Sequence, residues 1–451
     1  MKRGLGTLAA VAVLAATVAS AHAVAPSVTI SLAATGAARA EPVFSVPDIV
    51  TVVNRGSELD ADVIAKTITA AQASYGTWAI SRGASVSMHS VRRGASYVQQ
   101  AAAEFNYPMS VTAMPTSAIA QLMGRDLAGV LSSGAVVMGR TSADLRGAQV
   151  GDVVDMVSAQ GPVVSFAVGR IVDDDVIGGT EILMNTDQAD SIGVTTETRI
   201  VVWGFRSREL LEQQLSAGGL SAKPDVRIRH SWDPRDPDSG LNTAIVKSLL
   251  GEFSYRLEPN GVDVTLNNAW VAAHMPPARE VLIDAIPIRA RCNLTIRSDL
   301  RAALTEVAAA GLAGEIDVDN ANLAGGCYYP RFNRLAGTLG FLSRHSWGAA
   351  LDTNTLANAQ GAVPTMNCDV VRIFRKHNFA WGGNFLTSDG MHFEWVGSPR
   401  DQFQFPSKYC PNLPVKPSDA PALGDATTGT TLGTATDAPI GLTTMLVDDD
   451  R

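Results

Sequence analysis

The chain has 451 residues, 46% of them hydrophobic, and a net charge of −8 with the acidic residues spread along its length. That much apolar material can fill more than one core, which excludes wholesale disorder and predicts two or three domains. No basic patch of the kind that phosphate backbones select is present, so nucleic acid is excluded as a partner.

At the N-terminus, Lys2 and Arg3 precede an uncharged run rich in Ala, Val and Leu, closed by Ala21-His22-Ala23. This grammar predicts a secretory signal peptide over residues 1–23. Left uncleaved, the same run would be the protein's one association with a membrane. Residues 24–43 are small and without helical period, and read as a linker. Residues 44–205 are predicted to form an accessory α+β domain. Within it Val63, Ile64, Ile68 and Ala71 recur at helical spacing, and two valine-rich runs break at Gln160, Gly161 and Pro162, which predicts a β-hairpin. This stretch and its continuation resemble, over about sixty residues, the extracytoplasmic core domain beside permeases of the macrolide-exporter type. The stretch contains no residue that must be there for chemistry, and the preferred reading, in place of that resemblance, is a plain binding or spacer module.

Residues 206–239 are predicted to hold an amphipathic helix, with Leu210, Leu211 and Leu215 on one side and Gly218 and Gly219 at its end, followed by a linker. The segment "DPRDPDSG" at 233–240 marks the domain boundary. From 240 to 410 two more helices are predicted, one burying Leu300, Leu304, Val307 and Ala308 and ending near Gly311, the other burying Val370, Val371 and Phe374. Each is followed by a segment rich in glycine and aromatics. Residues 411–451 are Pro/Thr/Gly/Ala-rich, too poor in apolar surface to fold, and read as a disordered tail.

Four cysteines, Cys292, Cys327, Cys368 and Cys410, are widely spaced and lack the paired spacing of a zinc ribbon. They predict two disulfides, as expected outside the cytoplasm. Of the three pairings that four cysteines allow, proximity along the chain favours Cys292 with Cys327 and Cys368 with Cys410.

Zinc in a hydrolase takes three protein ligands from His, Asp and Glu and keeps a fourth position for water. A nearby carboxylate must then accept the water's proton and pass it on. His345 and Asp352, separated by small residues in "SRHSWGAALDTN", together with His392, fit the ligand set, and Asp389 fits the base. His89, His230, His274 and His377 have no neighbouring ligand pattern, and no G-x-S-x-G elbow points to a serine nucleophile.

The first segment matches an S-x-H-x-x-G-x-A-x-D motif, and "FAWGGNFLTSDGMHFEW" at 379–395 matches an F-x-W-G-G…D-x-x-H-F-E block. With "RCNLTI" and "GGCYYPR", residues from about 240 to 410 resemble the family of zinc D-Ala-D-Ala carboxypeptidases and L-alanyl-D-glutamate endopeptidases that act on peptidoglycan. The resemblance implies an α+β fold whose C-terminal zinc peptidase core has a small antiparallel sheet and flanking helices. It implies that His345, Asp352 and His392 bind Zn2+, that Asp389 is the general base and acid, and that an upstream arginine steadies the oxyanion. Arg331 is the best match for that arginine, with Arg334 in reserve; Glu394 is expected to act behind the ligands. The implied partner is peptidoglycan or another peptide containing D-amino acids, outside the cytoplasm and at the cell wall. Carboxypeptidase and endopeptidase action both remain open. The alternative from another class is a wall-binding or partner-binding protein with a peptidase-like domain that has lost catalysis.

Overall fold

The structure is a computed structural model that describes residues 47–414 apart from Ser57, Gln160, 319–325 and 336–338. The predicted signal peptide, the 24–43 linker and the tail beyond 414 lie outside the described residues.

Ten strands build the first sheet: β1 (Ile49–Asn54), β2 (Thr77–Arg93), β3 (Ser96–Gln100), β4 (Tyr107–Met114), β5 (Val136–Gly139), β6 (Val153–Val157), β7 (Val163–Val172), β8 (Ile182–Asn185), β9 (Glu197–Trp203) and β10 (Val226–His230). Their order is β10-β1-β9-β2-β4-β8-β5-β7-β6, with β3 beside β2. β6 pairs back onto β2, so β2, β4, β8, β5, β7 and β6 close into a barrel. Strand β2 makes this possible because it is 17 residues long. Its first part pairs with β9, its middle with β4 and its last part with β6, with register shifts where it changes partner. Alternating side chains fill the barrel, among them Met88, Met109, Val111, Met156 and Met184. The predicted hairpin is the antiparallel β6–β7 pair.

Helices cover the outside: α1 (Ala61–Ala73), α2 (Thr116–Leu122), α3 (Arg125–Ser132), α4 (Arg140–Arg146), α5 (Thr186–Ser191) and α6 (Arg208–Ala217). Val63 and Ala71 of α1 and Leu211 and Leu215 of α6 are buried on the β1 and β9 face as their spacing predicts, with Ile64 and Ile68 packed against it partly buried and Leu210 half-buried. Ser207 caps α6, its hydroxyl accepting from the Leu210 amide at 3.2 Å.

The rest of the chain holds α7 (Thr243–Leu250), β11 (Tyr255–Leu257), β12 (Val264–Leu266), α8 (Asn268–His274), β13 (Glu280–Ile283), β14 (Ile286–Ala290), α9 (Arg297–Ala309), β15 (Ala350–Asp352), α10 (Cys368–Lys376), β16 (Phe379–Trp381) and β17 (His392–Trp395). The architecture is mixed α+β, as expected. Leu300, Leu304 and Val307 of α9 and Val370, Val371 and Phe374 of α10 join Trp347, Trp381 and Phe393 in one core. The Phe374 and Phe393 rings lie 4.2 Å apart. Both predicted disulfides, Cys292–Cys327 and Cys368–Cys410, are present and tie this core to its loops. Among the described residues no helix is long and apolar enough to cross a membrane.

A buried ionic cluster joins α7 to the barrel. Lys247 Nζ lies 2.9 Å from both oxygens of Glu181, and Arg146 Nη2 donates to Glu181 at 2.9 Å. Glu252 pairs with both cations. Burial opposes ionisation of Glu181, but Lys247 and Arg146 outweigh it and hold its pKa down at about 2. The "DPRDPDSG" segment also turns inward. Asp238 is buried and accepts from Arg375 Nε at 2.9 Å, the Trp381 amide at 3.0 Å and Asn384 Nδ2 at 2.7 Å.

Candidate metal centre

Three short strands, in the order β15-β17-β16, carry the site. The antiparallel register of β15 and β17 sets Asp352 opposite His392 and Ala350 opposite Glu394. Residues two apart share a face of a strand, so His392 and Glu394 point the same way. His345 reaches the same point from a 3-10 turn, Arg344–Trp347, whose entry is fixed by the Ser343 hydroxyl accepting from the His345 amide. The turn ends at Gly348, which has φ +62° and no room for a Cβ beside Met275 and the Asn293 amide.

The result is a convergent trio. His345 Nε2 lies 3.2 Å from Asp352 Oδ1, and His392 Nδ1 lies 3.1 Å from the same oxygen. One donor atom from each of the three falls within 4.8 Å of the others. Donors held tetrahedrally at about 2.0–2.1 Å from zinc stand roughly 3.3 Å apart, which the two separations from Asp352 Oδ1 match. The back of each imidazole is also engaged. His345 Nδ1 is 3.0 Å from the Cys327 carbonyl, which fixes the ring and leaves Nε2 to bind. His392 Nε2 is 3.5 Å from Glu394, whose other oxygen accepts from Arg344 Nε at 2.9 Å. Glu394 therefore shares the face of β17 with His392 and meets the ring nitrogen turned away from Asp352.

The electrostatics match this arrangement. Burial works against the Asp352 carboxylate, yet the two imidazoles hold its pKa far below the usual carboxylate range. Burial likewise disfavours charge on His392, but Asp352 and Glu394 push its pKa up to about 10. Burial raises Glu394, and Arg344 more than compensates, taking it down to about 2. Imidazoles must be neutral to bind a metal, so a metal held here would displace a proton from His392.

Asp389 and Arg331 line the same cleft as the trio, together with Arg334, Gln360 and Phe385. Burial raises the pKa of Asp389 above the usual carboxylate value. Its Oδ1 is buried and has no hydrogen-bond partner, while Oδ2 accepts from Gln360 at 3.3 Å. A buried, unsatisfied carboxylate oxygen beside a ligand trio is the feature expected of a group that waits for a proton. Arg331 is partly buried, its Nε also unpartnered and its Nη1 donating to the Phe332 carbonyl at 3.1 Å. Gly382 and Gly383 permit the tight packing behind Asp389. A Cβ on Gly382 would meet the Asp389 carbonyl at 2.6 Å, and one on Gly383 would collide with the Trp381 ring.

The four residues singled out from the two motifs, and Arg331 with them, thus come together in one cleft. His377 instead bonds Glu306 at 2.7 Å, His230 lies between Asp233 and Glu212, and His274 stacks on Trp270. The sequence alone gave no sign of the Arg344–Glu394 pair, of Gln360 or of the anchor at Asp238.

Two histidines and one aspartate that could together hold a metal ion thus stand beside a carboxylate with one buried, unpartnered oxygen. A family model described as D-alanyl-D-alanine carboxypeptidase matches residues 336–395, the stretch containing both motifs. The match supports the resemblance read from the motifs, and the matched stretch contains His345, Asp352, Asp389 and His392. No curated protein matches the chain.

Proposed function

We propose that this protein is a zinc-dependent peptidase, exported and associated with the cell wall, that cleaves peptidoglycan stem peptides or similar peptides containing D-amino acids. The observation that carries the reading is the His345–Asp352–His392 trio with the unsatisfied Asp389 oxygen beside it. Zinc held by the trio would supply Lewis acidity and lower the pKa of a bound water. Asp389 accepts the proton of the attacking water and returns it to the leaving amine. The Arg331 guanidinium, a planar fork with an unpartnered N–H in the cleft, steadies the negative charge that develops on the carbonyl oxygen. Glu394, held by Arg344, orients His392. The two disulfides suit an oxidising compartment outside the cytoplasm.

The test is metal removal. Purified protein should contain about one zinc per chain, lose cleavage of a stem pentapeptide after chelation and regain it with zinc. A native protein that binds cell wall, carries no zinc and cleaves nothing would favour the wall-binding alternative instead.

A further inference from the structure

The loop between β16 and β17 carries Asp389, and its position depends on a turn at Gly382–Asn384. The Asp389 amide donates to the Gly382 carbonyl at 2.8 Å, and the missing Cβ of Gly382 lets the two backbone segments touch. Whatever fixes this turn therefore fixes Asp389. Asn384 is its anchor: its Oδ1 accepts from the Tyr409 amide at 2.9 Å, and its Nδ2 donates to Asp238 and to the Tyr409 carbonyl. The Asn384 backbone carbonyl is held from elsewhere. Arg227, on edge strand β10 of the large sheet, donates to it from Nη2 at 2.6 Å. Arg55, at the same end of the β1–β10 pair, reaches the Leu386 carbonyl two residues further on, at 3.4 Å. Between the two carbonyls sits Phe385, which lines the cleft with its ring 6.0 Å from that of His392.

We propose that Arg227, with Arg55 as a weaker second contact, is a positioning residue of the peptidase site: the edge of the large sheet holds the loop that aims Asp389. This rests on the peptidase reading given above. It assigns the large sheet a part in catalysis, although none of its described residues lines the cleft. A guanidinium is suited to the task because its rigid fork can stay fixed in the sheet while one nitrogen meets a carbonyl across the gap.

Arg227→Met and Arg227→Lys are compared with wild type in the full chain, by kinetics on a stem pentapeptide, zinc content, melting temperature and hydrogen exchange. Arg227→Met should lower kcat about tenfold or more, because small misplacements of a reacting group carry large kinetic costs. KM should stay within about twofold and zinc should stay stoichiometric, since the ligands themselves are not displaced. Amides of 382–392 should exchange faster while those of β1, β9 and α10 do not. Arg227→Lys, which keeps a cationic donor, should recover part of kcat. Unchanged exchange in 382–392 with wild-type kcat would overturn the proposal. So would a general rise in exchange with a lower melting temperature and no rescue by lysine, which would make Arg227 a stabilising residue only. If the wild-type protein cleaves no peptide, the peptidase reading fails, and the exchange measurement still decides whether Arg227 holds the loop.

Discussion

Replacing Glu181 by glutamine keeps the shape of the side chain and removes its charge from the cluster that joins α7 to the barrel. In the wild type two fully buried cations, Arg146 and Lys247, face two carboxylates, Glu181 and Glu252. The variant leaves both cations against Glu252 alone. The amide oxygen can still accept from the Ser110 backbone, which donates to Glu181 at 2.9 Å, so the loss falls on the ionic contacts. Breaking a buried ion pair by removing one partner costs about 3–5 kcal/mol. For a unit of a few hundred residues, roughly 2 °C per kcal/mol then gives a fall in melting temperature of about 6–10 °C. Thermal unfolding followed by circular dichroism measures it. The acid limb provides a second readout. Because the folded pKa of Glu181 lies at about 2, below its ordinary 4.5, its contribution is complete above 4.5 and disappears as pH falls from there towards 2. The variant should lack that part of the acid destabilisation. Lys247→Met should also cost less in the Glu181→Gln background than alone, since the two side chains share one interaction. A melting temperature within a degree of wild type, or costs of the two substitutions that simply add, would refute this account of the cluster.

Two further outcomes follow from the structure. His230 lies 2.6 Å from Glu212 and 2.9 Å from Asp233; burial opposes its charge, but the carboxylates raise its pKa above 6.5. Its contribution is therefore complete below 6.5 and is lost as pH rises through the higher folded value, and His230→Gln should flatten that loss in urea melts from pH 6 to 9. Parallel loss in both proteins would exclude His230. Gly382→Ala places a methyl against the Asp389 carbonyl and should lower kcat about a hundredfold with zinc retained; wild-type turnover would show that the loop yields freely.

The candidate site was legible in sequence because its chemistry is local. Asp352 and His392 are neighbours through a two-strand register, and His345 is one turn away from Asp352, so two short motifs contain the whole trio. Helices α1, α6, α9 and α10 were legible through the spacing of their buried residues, such as Leu300, Leu304 and Val307. The closed barrel was not, because it depends on β2 changing partners through register shifts that no periodicity encodes. Asp238 was hidden by its setting: prolines and aspartates read as a solvated linker, whereas this aspartate meets a buried arginine 137 residues away. Lys247 was invisible for the same reason, since its partner Glu181 lies 66 residues earlier. Long-range pairing decides whether a charge is a core element or a surface one, and composition contains no trace of it.

Digestion of purified peptidoglycan by wild-type protein and by Asp389→Ala, with product masses, tests the central claim most directly. The account predicts a metal-dependent mass loss by the wild type, free D-Ala for carboxypeptidase action or an internal stem cut for endopeptidase action. It predicts a rate lower by about 10²–10⁴-fold in Asp389→Ala at unchanged zinc content. Intact peptidoglycan after incubation with zinc-loaded wild type, or equal digestion by the variant, would contradict it.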